Sequence, residues 1–172
     1  MQKTILKFGF LAGVILAAAM IATLPFLEKI GDWAYVLGYT TMVLAFLMTY
    51  FGVRSYRDTV GRGAVTFGRA LLIGAAITGI ASCCYVATWE VIYYKFTPDF
   101  AEKYAARQIE KTRASGASAA ALAKTEQEME QFEAMYKNPI SNVAMTFLEP
   151  LPVGIVMTLV AAGMLKRRPT AT

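Results

Sequence analysis

WAYVLGYTTMVLAFLMTYFGV, Trp33 to Val53, holds no charged side chain and is bracketed by Asp32 and Arg54. Coiled as an α-helix it rises about 30 Å at 1.5 Å per residue, the thickness of a bilayer's hydrocarbon core. Three further runs resemble it. Ile5 to Leu27 has Lys7 near its start and Pro25 near its end. Ala70 to Trp89 is uncharged and continues through Glu90 to Tyr94, and Ile140 to Leu165 carries one charge, Glu149. The first run is too long for the apolar core of a signal peptide, and Ala17, Ala18 and Ala19 lie inside it rather than after it, so it reads as a spanning helix. The expected fold class is all-α: an integral membrane bundle of four transmembrane helices at about 5–27, 33–53, 70–94 and 140–165, one membrane domain over 1–172.

Composition points the same way. Of 172 residues, 56 % are hydrophobic and 17 % charged, an excess and a deficit against soluble domains. So few charges cannot cover that much apolar surface in water. The net charge of +5 does not indicate nucleic acid, because most basic residues stand at the ends of apolar runs and no basic-aromatic recognition motif appears. Histidine is absent, which removes serine-histidine triads and histidine-bearing zinc motifs. Cys83 and Cys84 are helical neighbours inside an apolar run; a bond between them would be strained, and both read as small buried packers. No catalytic, metal or cofactor motif stands out, and a non-enzymatic protein without a cofactor is expected.

Orientation follows from the basic residues of short segments. Lys3 and Lys7 lead the first helix; Arg54, Arg57, Arg62 and Arg69 fill the second connection against Asp58; Lys166, Arg167 and Arg168 follow the fourth helix. The first connection has Lys29 against Glu28 and Asp32. An even number of spans puts all three basic clusters on one side, with both termini, in the cytoplasm of a bacterial inner membrane. Trp33, Tyr35, Trp89, Tyr93 and Tyr94 then form an aromatic belt at the outer interface.

Residues 95–137 hold seven basic and seven acidic side chains, so placement outside meets no opposing bias. Thr97 can cap a helix with Pro98 at its first position and Asp99 against the dipole, running to about Arg113 and stopping near Ser115 and Gly116. Ser118 can cap a second helix to Tyr136 or Lys137, ended by Asn138 and Pro139. Phe100, Tyr104 and Ile109 mark the apolar face of the first; Leu122, Met129, Phe132 and Tyr136 mark that of the second. The expectation is an extracytoplasmic amphipathic helical hairpin at about 97–137. Glu126, Glu128, Glu130 and Glu133 lack the spacing and glycine of a calcium loop and read as a solvated face.

Glu149 most invites a functional reading. It lies roughly 14 Å into its run, where an unpaired carboxylate is expensive. Pro150 and Pro152 follow, and each removes a backbone donor, so the helix should be kinked or broken there. An acid beside an interrupted helix is how several transporters build an ion or proton site. The competing readings are a protonated or hydrogen-bonded Glu149 that pins the bundle, and a Glu149 near the interface. Glu90 and Trp89 fall at the outer boundary, where Glu90 can pair with Lys95, Lys137 or another base. The candidate site is Glu149, Pro150, Pro152, Glu90 and Trp89. Gly9 and Gly13, then Gly74, Thr78 and Ser82, form small-residue stripes suited to close helix packing. Gly61, Arg62, Gly63 and Gly68 lack the lysine-serine pair of a phosphate loop and read as a turn before a helix start.

Several phrases occur in order: Gly63 to Leu71 (GAVTFGRAL), Trp89 to Tyr94 (WEVIYY), Thr97 to Phe100 (TPDF), Met135 to Pro139 (MYKNP) and Thr146 to Gly154 (TFLEPLPVG). Together they resemble the bacterial membrane proteins catalogued as family DUF4199. That resemblance implies a four-helix protein of the bacterial inner membrane with a helical segment between the third and fourth spans, and implies no activity. Expected partners are the bilayer and an envelope protein or second copy at the outer hairpin, not nucleic acid. A small transporter or proton-coupled channel using Glu149 is the alternative.

Overall fold

The computed structural model describes residues 1–26, 31 and 33–167. Leu27, the Glu28, Lys29 and Asp32 of the first connection, and Arg168 lie outside the described residues. In chain order the helices are α1 Gln2–Thr23, α2 Trp33–Thr59, α3 Phe67–Lys95, α4 Phe100–Ala114, α5 Ala119–Lys137, α6 Pro139–Leu148 and α7 Leu151–Leu165, with a 3-10 turn at Leu24–Phe26. The described residues form no strand, although Val65 and Arg167 exchange two backbone hydrogen bonds of 3.1 and 2.9 Å as an isolated bridge. Four helical spans are long and apolar enough to cross a membrane: Gln2–Phe26, Trp33–Thr59, Phe67–Lys95 and Pro139–Leu165.

Helix ends follow capping chemistry rather than apolarity. α2 continues past Val53 to Thr59, supported by the Arg54–Asp58 pair one turn apart. α3 starts at Phe67, and Thr66 Oγ1 accepts from the Arg69 amide at 3.3 Å. Before it, Arg62 and Gly63 take positive φ values of 49° and 86°, a tight turn that glycine allows.

The chain divides into two compact units, Met1–Thr88 with Phe147–Thr172, and Trp89–Thr146. In the first, small residues carry the helix contacts. A Cβ on Gly9 would sit 2.8 Å from Ile80 Cβ, and one on Gly13 would sit 2.6 Å from Cys84 Cβ. Only bare backbone lets α1 lie this close to α3. Cys83, about 100° round the helix from Cys84, is exposed. Only one of two helical neighbours can face the bundle, so the expectation that both cysteines are buried holds for neither fully: Cys84 is half-buried.

Two apolar clusters fill this unit. One holds Val53, Ile73, Ile77, Ala161 and Leu165; the other holds Leu16, Met42, Phe46 and Ala81. Meanwhile Leu11, Val14, Leu44, Leu72, Ile155, Leu159 and Met164 point outward. A bundle with glycine, alanine and threonine at its helix contacts and large aliphatics on its surface suits a hydrocarbon solvent.

In the second unit, α4 and α5 meet in opposite order along their lengths. Phe100 lies 5.6 Å from Tyr136 between ring centroids and Tyr104 lies 5.1 Å from Phe132, while Thr125 Oγ1 bonds Thr112 Oγ1 at 3.4 Å. α4 begins later than expected. Asp99 is the residue before its first turn, and the Thr97 hydroxyl instead bonds the Ile92 carbonyl at the end of α3. Asp99 pairs with Lys103 at 2.9 Å, an interaction within one helical turn that holds the carboxyl below its usual range. Ser118 caps α5 by accepting from the Ala121 amide, and Gly116 takes φ +72° in the turn between. Asn138 ends α5 and also starts α6, its Oδ1 accepting from the Ile140 and Ser141 amides at 3.0 and 3.3 Å.

Candidate functional site

The fourth span is two helices. α6 stops at Leu148 and α7 starts at Leu151, with Glu149 and Pro150 between them. Pro150 and Pro152 have no N–H, so the carbonyls of Thr146 and Leu148 lose the donors a continuous helix would supply. Helical bonding resumes when the Gly154 amide donates to the Pro150 carbonyl at 3.0 Å. The Pro150 ring is fully buried, which turns the adjacent Glu149 side chain to the bundle surface. There the Tyr85 hydroxyl of α3 donates to Glu149 Oε2 at 2.9 Å.

Tyr85 closes a row of hydroxyls on one face of α3. Thr78, Ser82 and Tyr85 follow at spacings of four and three, one above another on a helix. Thr78 and Thr158 hydroxyls lie 3.2 Å apart, and Thr78 Oγ1 approaches the Gly154 carbonyl at 3.5 Å. Glycine is required at 154 because a Cβ there would strike the Thr78 methyl. Gly74 has the same role one turn along: its missing Cβ would lie 2.7 Å from Thr158 Cγ2 and 3.0 Å from Thr49 Cγ2. Thr49 and Ser82 are wholly buried, and neither hydroxyl has a protein partner. Buried hydroxyls nearly always have one.

Trp89 and Glu90 belong to the other unit. Trp89 packs on neighbouring rings: its ring meets Phe100 edge-on at 4.9 Å and stacks with Tyr93 at 6.5 Å. Tyr93 in turn is buried against Tyr136. Trp89 and Tyr93 are thus packed against other rings, while Trp33, Tyr35 and Tyr94 are exposed. The physical reason is supply: Phe100, Phe132 and Tyr136 offer a ring-lined surface to that face of α3. Glu90 does not pair with Lys137, whose ammonium takes Glu102 at 3.3 Å and Glu133 at 3.6 Å. Glu90 Oε1, Trp89 Nε1 and Asn142 Nδ2 are buried without a hydrogen-bond partner. No group of three metal-ligating side chains occurs among the described residues.

The structure therefore joins Glu149, Pro150 and Pro152 within one unit, and Trp89 and Glu90 belong to the other. Sequence reasoning missed Tyr85 as the partner of Glu149, along with Thr49, Thr158 and Asn142. A polar residue every third or fourth position of the third run marks a face of α3 but names no partner, and Thr49, Thr158 and Asn142 lie on other helices.

The family model described as protein of unknown function (DUF4199) matches residues 7–167. Neither a curated protein nor a solved structure matches the chain. With nearly the whole length matched, the chain belongs to the DUF4199 family.

Proposed function

We propose that this DUF4199 member is a non-enzymatic protein of the bacterial inner membrane, with both termini cytoplasmic, that takes up and releases a proton at Glu149. One observation carries the reading: a carboxylate at a proline-interrupted point of an apolar span, bonded to the hydroxyl of Tyr85. Ionisable groups at such depth are rare, and they mark proton relays and transport pathways more often than structure alone demands. The bond also ties the group's charge to the packing of α7 on α3. As a carboxylate Glu149 is a strong acceptor for the Tyr85 hydroxyl; once protonated it is a weaker one and gains a proton to donate. Release of the proton therefore tightens α7 against α3 and uptake loosens it, the coupling that a small proton-linked transporter needs.

The α4–α5 pair is read as the outer helical hairpin. A docked envelope protein or second copy there has less support, since Tyr104, Phe132 and Tyr136 already spend their apolar faces on each other. Infrared difference spectroscopy during a pH titration of the full chain in lipid tests the proposal. A carboxyl band should appear on acidification, vanish in Glu149→Gln and shift in Tyr85→Phe. An unchanged band in Glu149→Gln assigns the titration elsewhere and overturns it.

A further inference from the structure

From the hydroxyl row we infer that the proton of Glu149 exchanges with the cytoplasmic side along α3, through Tyr85, Ser82, Thr78 with Thr158, and Thr49, and that an apolar plug below Gly74 closes this route at rest. The inference rests on the proton-binding reading of Glu149. Its starting point is bonded: Tyr85 Oη to Glu149 Oε2 at 2.9 Å. Its middle is bonded too, Thr78 to Thr158 at 3.2 Å. Between them on the same helix face stands Ser82, fully buried, with no protein partner for its hydroxyl. Thr49 stands beyond, equally buried and unpartnered, its methyl meeting Gly74 beside the methyl and hydroxyl of Thr158.

An isolated hydroxyl in an apolar interior forfeits its hydrogen bonds, at about 1–3 kcal/mol. Two such groups at the gaps of one row demand a small partner, and water is the ligand whose size and two-way hydrogen bonding fit. With water at Ser82 and Thr49 the row conducts by relay. Once protonated, Glu149 donates to Tyr85 Oη in place of accepting from it; the carboxyl O–H bond breaks as the proton passes to Tyr85, whose own proton moves to the water at Ser82. Each hydroxyl accepts one proton and gives one and so keeps its composition; the water at Thr49 hands the proton to cytoplasmic water when the route opens, and each O–H turns back before the next transfer.

The row stops at Gly74. Val53, Ile73, Ile77, Ala161 and Ala162, all fully buried, fill the bundle at its lower end. Ile77 Cδ1 lies against Gly52 of α2 where a Cβ would stand, and the buried Tyr56 of α2 belongs to the same cluster. Passage needs this cluster to part, and the bond between Glu149 and Tyr85 is the contact that weakens when Glu149 takes up its proton.

The test uses the full chain in liposomes holding a pH-sensitive dye, driven by a potassium-diffusion potential. Ser82→Ala and Thr158→Val should each lower the proton flux about tenfold or more, Ser82→Thr should restore it, and Ile77→Ser should raise it. Helical content and a single elution peak confirm folding of each variant. Undiminished flux in Ser82→Ala and Thr158→Val, with Glu149→Gln inactive, overturns the route and leaves the Glu149 reading standing. The same holds if no flux occurs while the Glu149 carboxyl band still titrates. Flux unaffected by Glu149→Gln overturns both.

Discussion

Gly154 stands where α7 crosses Thr78, and its missing side chain is what lets a backbone carbonyl come within 3.5 Å of the Thr78 hydroxyl. Adding one methyl there forces atoms together, and overpacking of a close helix contact costs about 1–3 kcal/mol. Gly154→Ala should therefore lower stability by that amount in reversible unfolding from detergent micelles. The struck atom is the Thr78 Cγ2 methyl, so Thr78→Ser in the same chain should recover most of the loss. A double variant no better than Gly154→Ala would place the strain elsewhere. Tyr85 and Glu149 show a different limit at this scale. Glu149 was legible in the sequence as a lone acid in an apolar run beside two prolines. Tyr85, among many tyrosines, gained meaning only from the residue across the helix interface.

Elements begin and end here by local chemistry that the sequence largely displays. Ser118 caps α5 and Gly116 turns the chain, both at the expected positions. α4 starts later than its Thr97-Pro98-Asp99 signal predicts because Thr97 has a competing acceptor, the Ile92 carbonyl left over at the end of α3. Asp99 then carries the first turn through its pair with Lys103. Since that pair holds the Asp99 carboxyl below its ordinary value, its contribution is complete above the ordinary carboxylate range. It disappears as the pH falls through the folded-state value. Protection factors at the amides of the first α4 turn, which remove the intrinsic pH dependence of exchange, should accordingly fall in acid. Asp99→Asn should show the low protection already at neutral pH and no further loss on acidification; an acid-dependent protection that survives this substitution would assign the effect to another group.

At the scale of the whole molecule, the basic clusters at Lys3 and Lys7, at Arg54 to Arg69, and at Lys166 and Arg167 make one testable statement about sidedness. A reporter enzyme fused at the C-terminal end should read cytoplasmic, and one inserted at Gly116 should read external. Two readings on the same side would remove either the orientation or one of the four crossings. Replacing the arginines of the second connection by glutamate should weaken the bias toward this orientation, measured as a mixed population of reporter states.

Length and apolarity by themselves determined the four spans, because a bilayer demands about 20 apolar residues per crossing and sets no condition on neighbours. Two prolines beside an acid likewise determined where the fourth span would be interrupted, since a missing N–H is a covalent fact. Tertiary structure alone decided which side chains meet across helices. It chose Cys84 over Cys83 for the Gly13 contact, drew Trp89 and Tyr93 onto Phe100 and Tyr136, and brought Tyr85 to Glu149. Those pairings depend on helix rotation and depth, which an all-round apolar helix does not encode in its periodicity. They emerge only when small residues let particular faces close together.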